Sequence, residues 1–143
     1  MPQCYQSIII NAPVERVWDI VKDFHDCSWA AGVIDRCEAV GELGGTETGA
    51  RRILNGVFYE TLLEFNPSIH CIRYSTDDGP SPVSQNEVRN YEGILQLHPI
   101  SANNGTFVEW RTSWESQSEE AHDFCDLICA TLLRALAKRL EHR

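Results

Sequence analysis

The side chains of this chain that could bind a metal lie near its C-terminus, in the spacing His122-x-x-Cys125-x-x-x-Cys129. Residues three and four apart share one face of a helix, so these three side chains could converge on a zinc ion. The sequence offers no evident fourth ligand, and cysteine is among the residue types most often buried in protein cores. We therefore interpret the two cysteines as buried side chains and predict no metal site and no cofactor.

Motifs for covalent or phosphate chemistry are missing from the sequence. It contains no Gly-x-Ser-x-Gly nucleophile elbow, no phosphate-binding loop, no dinucleotide fingerprint and no His-Glu-x-x-His. These absences argue against the usual serine hydrolases, NTPases, dehydrogenases and zinc proteases. They leave acid–base catalysis open, because that chemistry needs only a few well-placed side chains.

Length, charge and cysteine usage restrict the function further. A chain of 143 residues with 43% hydrophobic composition suits one domain over residues 1–143. The net charge of −9 argues against nucleic acid and anionic membrane surfaces as partners, and no apolar run is long enough for an integral membrane segment. Without a secretory signal or a Cys-x-x-Cys pair, we expect reduced thiols, a cytoplasmic location and a monomer or homodimer.

Hydrophobic spacing predicts three helices. The first begins at Pro13 and is expected to run through Phe24, since apolar residues recur at helical intervals. A second short helix is expected over residues 26–31, ended by Gly32. A long helix opens at Ser118, with acidic residues in its first turn. Its predicted apolar stripe comprises Ala121, Phe124, Ile128, Thr131, Leu132, Ala135 and Leu136.

Seven strands are predicted from β-branched residues and turn signals, over residues 6–10, 34–40, 48–54, 57–65, 69–75, 86–98 and 106–115. The last strand has the clearest pattern, with one buried face formed by Val108, Trp110, Thr112 and Trp114. Six consecutive strands without an intervening helix imply an antiparallel sheet. Such a sheet curls, and a single long helix cannot fill its concave side completely. The volume that remains predicts a pocket.

Several stretches of the chain carry a family resemblance: IIINAPVERVWDIVKDF at 8–24, Gly-Ala-Arg-Arg at 49–52, Tyr-Glu-Thr at 59–61 and Val-Glu-Trp-Arg-Thr at 108–112. They resemble the polyketide cyclase/dehydrase branch of the START-like (SRPBCC) superfamily. The resemblance implies an α+β helix-grip fold, in which a curved antiparallel seven-stranded sheet wraps around a long C-terminal helix, with two short helices after strand 1. Members bind lipids, sterols, hormones, quinones or polyketides in the cavity, and some are enzymes.

Residues 89–93, Arg-Asn-Tyr-Glu-Gly, also resemble a strand of the plant abscisic-acid receptors, which share this fold. Two features of those receptors are different here. Their Ser-Gly-Leu-Pro gate loop corresponds to Leu-Asn-Gly-Val at 54–57, and their ligand-binding lysine has no counterpart. We therefore do not expect a hormone receptor.

The resemblance implies which side chains face the cavity. Arg52, Glu60 and Tyr91 match its polar positions on the third, fourth and sixth strands. We expect further ligand contacts from Leu95, Trp110, Thr112, Phe124, Ile128 and Leu132. A buried Arg–Glu pair would give directional polar contacts in an apolar pocket. Alternatively, the pair is purely structural, or a one-residue error in register turns both side chains to solvent.

Aromatic residues have similar alternatives. The Tyr91 hydroxyl would orient a ligand oxygen or act as an acid, or it would simply reach the backbone from the core. Trp18 and Trp29 are expected on or beside the short helices. They would flank a cavity entrance or pack in the core, and packing is the expected role of Trp18.

Three functions are compatible with these patterns. The favoured one is binding of an apolar or amphipathic small molecule, such as a lipid, a quinone or a polyketide-like compound, in the internal cavity. The second is a cyclase/dehydrase-type enzyme in which Glu60 or Tyr91 exchanges a proton with a carbonyl substrate held by Arg52. The third is a protein-interaction domain with a vestigial pocket. No catalytic residue can be assigned from the sequence.

Overall fold

The computed structural model describes residues 3–116 and 119–141, which form seven strands, two α-helices and one short 3-10 turn. The strands are β1 (Gln3–Ile10), β2 (Cys37–Val40), β3 (Arg51–Leu54), β4 (Phe58–Asn66), β5 (Cys71–Asp78), β6 (Arg89–Ile100) and β7 (Gly105–Glu115). The helices are α1 (Val14–Val21) and α2 (Glu120–Glu141), and the 3-10 turn is Ser28–Ala30. The predicted helix-grip fold is confirmed, with strand ends that differ by a few residues from the predicted ones.

All seven strands belong to one antiparallel sheet, in the order β1-β7-β6-β5-β4-β3-β2. The β4–β5 pairing is interrupted twice, between Tyr59 and Glu60 and between Leu62 and Glu64, and the β6–β7 pairing once, between Arg89 and Glu92. Such bulges bend a strand and increase its twist. They help to curve the sheet around α2, which packs most extensively along β1.

The segment after β1 contains less helix than the sequence predicts. Pro13, with φ of −62°, lies immediately before the first turn of α1. The N–H groups at the start of a helix have no intrahelical partner, so the N–H that proline lacks is not needed there. The helix ends at Val21 instead of Phe24, because the Phe24 amide donates to the carbonyl of Gly45 at 2.9 Å. The second predicted helix is reduced to the 3-10 turn Ser28–Ala30.

The buried face of α2 differs from the predicted stripe. Its buried residues are Ala121, Cys125, Cys129, Leu132, Leu133, Leu136 and Leu140. Thr131 and Ala135, which the prediction included, are only partly buried. The burial of Cys125 and Cys129 agrees with their interpretation as buried side chains, whereas Leu133 and Leu140 are buried residues that the predicted stripe omits.

Two hydrophobic clusters fill the space between the sheet and the helices. The larger lies under α1 and the C-terminal half of α2 and includes Trp18, Val108 and Leu136. The smaller lies at the other end of α2 and includes Trp114 and Cys125. Among the described residues, no helix has the length and apolar character needed to cross a bilayer.

Candidate functional site

A cavity of about 190 Å³ lies where the two hydrophobic clusters meet, between the concave face of the sheet and α2. Seven of the predicted ligand-contact residues line it: Arg52, Glu60, Tyr91, Trp110, Phe124, Ile128 and Leu132. The predicted pocket between sheet and helix is thus present. Its walls are mostly apolar, with a group of polar side chains at one end.

Two predicted contact residues lie outside this cavity. Leu95 lines a smaller void of about 30 Å³, which shares Trp29, Arg52, Tyr74 and Trp110 with the main cavity. Thr112 is buried and lies opposite Cys4 in the β1–β7 ladder. The prediction had the inward face of β6 and β7 right, but the cavity does not extend along the whole of either strand.

Polar side chains form a row across four neighbouring strands at one end of the cavity. Arg52 is opposite Glu60 in the ladder, Glu60 is opposite Thr76, and Thr76 is opposite Tyr91. Directly opposed residues in antiparallel strands have neighbouring side chains on the same face. The register therefore brings four polar groups from β3, β4, β5 and β6 to one wall.

Arg52 and Glu60 form a buried ion pair within this row. Both Nε and Nη2 of Arg52 donate to Oε1 of Glu60, at 2.9 and 2.7 Å. The other carboxylate oxygen, Oε2, accepts a bond from the Thr76 hydroxyl at 2.9 Å. The side chains of Arg52 and Glu60 are only 12% and 8% exposed. The possibility that these side chains face solvent is excluded by this geometry.

The Arg52 guanidinium also makes contacts away from Glu60. Its Nη1 donates to the carbonyl of Phe24 at 3.0 Å and to Sγ of Cys27 at 3.5 Å, and its Cζ lies 3.8 Å from the centre of the Phe24 ring. Burial by itself lowers the pKa of Arg52, but the charge and hydrogen bond of Glu60, together with Cys27 and Tyr74, raise that pKa above its ordinary value. The cation is therefore held in place on several sides.

Tyr74 on β5 is a cavity residue that the sequence analysis missed. Its hydroxyl oxygen accepts a hydrogen bond from Nε1 of Trp110 at 2.9 Å. Burial raises the pKa of Tyr74 well above its usual range, so the hydroxyl keeps its proton. An oxygen that accepts from Trp110 still has its own hydrogen to donate, and Tyr74 lines the cavity. No local motif marks this residue, because its environment depends on the pairing of β5 with β6.

Gly93 on β6 makes room for the Tyr74 ring. The two residues are opposite each other in the β5–β6 ladder, and a Cβ at Gly93 would overlap the ring atoms of Tyr74. A glycine inside a strand commonly marks such a close approach. The absence of a side chain at Gly93 therefore lets the hydroxyl end of the Tyr74 ring lie beside β6 at the cavity wall.

Tyr91 has a more enclosed environment than predicted. Its ring stacks on Trp114, with centroids 5.6 Å apart and planes at 14°, and its hydroxyl interacts with the thiol of Cys125. Burial raises the pKa of Tyr91 well above its ordinary value. The side chain lines the cavity wall as predicted, and its hydroxyl meets a side chain of α2 rather than the backbone.

Aromatic and loop residues surround the outer part of the cavity. Phe58 at the start of β4 stacks on Phe124 of α2, with centroids 6.3 Å apart. Both rings line the cavity and are partly exposed. Asn55, in the turn between β3 and β4, donates to the carbonyl of Val33 at 3.1 Å and accepts from the amide of Asp35 at 2.7 Å. The turn and the loop that follows the 3-10 turn are thus joined beside the cavity.

The other candidate residues have mixed outcomes. Trp29 lines the cavity, whereas Trp18 packs in the core against Phe65, with ring centroids 5.4 Å apart. Cys125 and Cys129 are buried, and burial raises the pKa of both thiols. His122 on the same helix is exposed. Within residues 3–116 and 119–141, no group of three metal-binding side chains is found.

Many solved structures resemble this chain, among them the following three. A protein from Nitrosospira multiformis is 48% identical, with a TM-score of 0.94 over 96% of this chain and 94% of that one. The XoxI protein from Bacillus cereus is 25% identical, with a TM-score of 0.80 and full coverage of both chains. A protein from Thermobifida fusca is 24% identical, with a TM-score of 0.80 over 97% of this chain and 93% of that one, and shows the shared fold alone.

The sequence also matches a family model, described as polyketide cyclase/dehydrase and lipid transport. The match extends over residues 1–141. It therefore includes every strand and helix that surrounds the cavity, and it agrees with the resemblance found in the sequence.

Proposed function

The chain belongs to the polyketide cyclase/dehydrase and lipid transport family, and we propose that it binds a compact, mostly apolar ring compound in the cavity between sheet and helix. The observation that carries this proposal is the cavity itself, with apolar walls and a polar row at one end. Burial of apolar surface supplies the affinity, at about 25 cal/mol per Å² before ordering costs. The polar row supplies orientation.

The volume of the cavity favours a small occupant. An engineered apolar cavity of about 150 Å³ holds a benzene molecule. A cavity of about 190 Å³ is larger by a modest amount and suits one or two fused rings better than a long acyl chain. Within the range of lipid, quinone and polyketide-like ligands, the volume therefore favours compact ring compounds of the quinone or aromatic polyketide kind.

The polar groups favour a ligand that carries an oxygen acceptor. Tyr74 is positioned to donate its hydroxyl hydrogen into the cavity, because its oxygen already accepts from Trp110. Glu60 has both oxygens engaged, by Arg52 and by Thr76. We propose that a ligand carbonyl or hydroxyl oxygen binds beside Tyr74, while Arg52 and Glu60 stabilise that end of the cavity.

The same contacts favour binding over catalysis. Proton transfer by Glu60 would require the carboxylate to leave Arg52 or Thr76, and proton transfer by Tyr74 or Tyr91 is opposed by the raised pKa of each hydroxyl. The cavity is open rather than collapsed, which favours a ligand-binding role over a vestigial pocket. We further propose, on sequence grounds, a single domain and a cytoplasmic location.

The test uses two probes of equal shape, 1-tetralone and tetralin, of which only the first has a carbonyl oxygen. Binding is measured by calorimetry and by thermal shift. We expect the wild-type protein to bind both and to prefer tetralone. Tyr74→Phe should weaken tetralone binding by about threefold to tenfold, the value of one hydrogen bond, and leave tetralin binding unchanged.

A pair of helix variants controls for the location of the site. Ile128→Trp fills the cavity, whereas Leu127→Trp adds the same ring to the exposed face of α2, where Leu127 is 64% exposed. We expect the first variant to lose both probes and the second to keep them. Wild-type protein that binds neither probe, or an Ile128→Trp variant that is folded and binds both normally, would contradict the proposal.

A further inference from the structure

Two cysteines lie around the Arg52 guanidinium and the Phe24 carbonyl, at the polar end of the cavity. Cys27, just before the 3-10 turn, is buried and lines the cavity, and Cys37, the first residue of β2, is partly exposed. The Phe24 carbonyl accepts from Nη1 of Arg52 at 3.0 Å and from the Cys37 thiol at 3.9 Å. The same Nη1 atom lies 3.5 Å from the Cys27 sulfur. Both thiols therefore lie around one guanidinium nitrogen and one carbonyl.

The two thiols and the Arg52 charge also affect one another's ionisation. The interaction with Cys27, with the nearby Arg52 charge, stabilises the Cys37 thiolate and lowers the pKa of Cys37 to about 7. The interaction with Cys37 and burial both raise the pKa of Cys27. One sulfur is thus nucleophilic near neutral pH, and a protonated thiol lies beside it.

The other four cysteines do not share this environment. Burial raises the pKa of Cys4, Cys71, Cys125 and Cys129, so each remains a thiol near neutral pH. All six cysteines are free in the structure. A low-pKa, accessible thiol beside a resolving thiol is the arrangement that favours reversible oxidation. Only the pair near Arg52 has it among the described residues.

We propose that Cys27 and Cys37 form an oxidisable dithiol, which hydrogen peroxide converts to a disulfide beside Arg52. The Cys37 thiolate attacks a peroxide oxygen and the O–O bond breaks, so that after protonation of the leaving hydroxide the products are a sulfenic acid and water. The Cys27 thiol then attacks the sulfenic sulfur, which forms the S–S bond and releases a second water. The dithiol loses two electrons, and hydrogen peroxide is the species reduced.

The exposure of the two side chains fits these roles. Cys37 is the more accessible, so it meets the oxidant first, and Cys27 is positioned behind it at the cavity wall. A disulfide would replace the contact between Cys27 and Arg52 and would tie β2 to the segment before the 3-10 turn. This modification goes beyond the proposed ligand binding and does not depend on it.

The test oxidises reduced wild-type protein with hydrogen peroxide near pH 7. The remaining thiols are then counted after denaturation, and the cross-linked peptides are identified by mass spectrometry. We expect the count to fall from six to four and the two peptides that contain Cys27 and Cys37 to be joined. Wild-type protein that keeps six thiols, or that joins another pair instead, would overturn the proposal, and this measurement needs no variant to fold.

Single-cysteine variants separate the two roles. Cys37→Ser should lose the rapid reaction, while Cys27→Ser should stop at a sulfenic acid on Cys37 that a cyclic diketone traps. Cys71→Ser is the matched control, since Cys71 lies on β5 away from the pair, and it should still lose two thiols. A Cys37→Ser protein that loses two thiols as fast as wild type would refute the assignment.

The pH dependence of alkylation gives a second readout. The groups that face Cys37 are Cys27, Arg52, Glu60 and Asp23. We expect the rate of Cys37 alkylation by iodoacetamide to rise with pH and level off above a midpoint near 7. In Cys27→Ala the midpoint should move upward, because alanine removes the side-chain interaction that lowers the pKa of Cys37. A midpoint near pH 8.5 for alkylation of the wild-type protein, which is the value of an ordinary thiol, would contradict the proposed interaction between Cys27 and Cys37.

Discussion

Each face of the sheet carries an arginine in an ion pair with glutamate, and the two groups of side chains differ in burial. On the concave face, Arg52 and Glu60 are 12% and 8% exposed and form bonds of 2.7 and 2.9 Å. On the convex face, Arg73 lies 2.8 Å from Glu92 and 3.5 Å from Glu64, and these side chains are 35%, 41% and 46% exposed. The residue types are the same, but the surroundings are not.

This difference in burial changes what each group can do. A buried pair depends on its partners, because an uncompensated charge in a protein interior costs several kcal/mol. An exposed pair is screened by water and contributes about 0–1 kcal/mol. The concave pair therefore acts as a fixed polar boundary of the cavity, whereas the convex group adds little beyond solubility. The comparison leads to three predictions about stability.

The largest expected effect comes from removal of the buried carboxylate. Glu60→Gln leaves Arg52 buried without a counter-charge and should lower the free energy of unfolding by about 3 kcal/mol or more. Glu92→Gln is the matched change on the convex face and should cost about 1 kcal/mol or less. Urea unfolding followed by circular dichroism measures both. Equal losses for the two variants would remove the distinction between the faces.

A smaller effect is expected from added volume on the concave face. Gly93→Ala forces the new methyl group against the Tyr74 ring and should lower the free energy of unfolding by about 1–3 kcal/mol. Gly44→Ala is the control, because a Cβ there would meet only the flexible carboxylate of Glu47, at 3.3 Å. Thermal unfolding of both variants gives the measurement, and a neutral Gly93→Ala would mean that Tyr74 can move.

The smallest effect concerns a convex carboxylate and the pH. The hydrogen bonds that Glu109 accepts from His98, at 2.9 Å, and from Tyr5, at 2.8 Å, lower the pKa of Glu109 below its usual 4.5. A carboxyl with a lowered pKa stabilises the fold above its unfolded pKa, and that contribution is lost as pH falls through the folded value.

The expected result is therefore a difference confined to acid. Wild type should be more stable than Glu109→Gln above about pH 5, by roughly 1 kcal/mol or less, and the advantage should shrink below about pH 4. Urea unfolding over this pH range measures it. His98→Gln should reduce the same pH dependence, and a pH-independent difference between wild type and Glu109→Gln would contradict the role of ionisation.

The residues that were predicted correctly and those that were missed differ in how local their sequence signal is. The inward positions of β7 were predicted correctly because alternation of apolar and polar residues is a local pattern, and Trp110 follows it. Tyr74 was missed because alternation along β5 gives only the face it lies on, and its importance comes from Trp110 and Gly93 on other strands. The face of α2 was predicted only in part, because Thr131 and Ala135 are partly exposed while Leu133 and Leu140, outside the predicted stripe, are buried.

The sequence alone determined the order of elements, the antiparallel sheet, the family and most of the cavity wall. These depend on periodicity, turn residues and motifs, each of which is encoded within a short stretch of chain. Tertiary structure alone decided the size of the cavity, the exclusion of Leu95 and Thr112 from it, and the placement of Cys27 and Cys37 around Arg52 and the Phe24 carbonyl. Those outcomes depend on bulges, strand register and helix rotation, which are set by packing between segments distant in sequence.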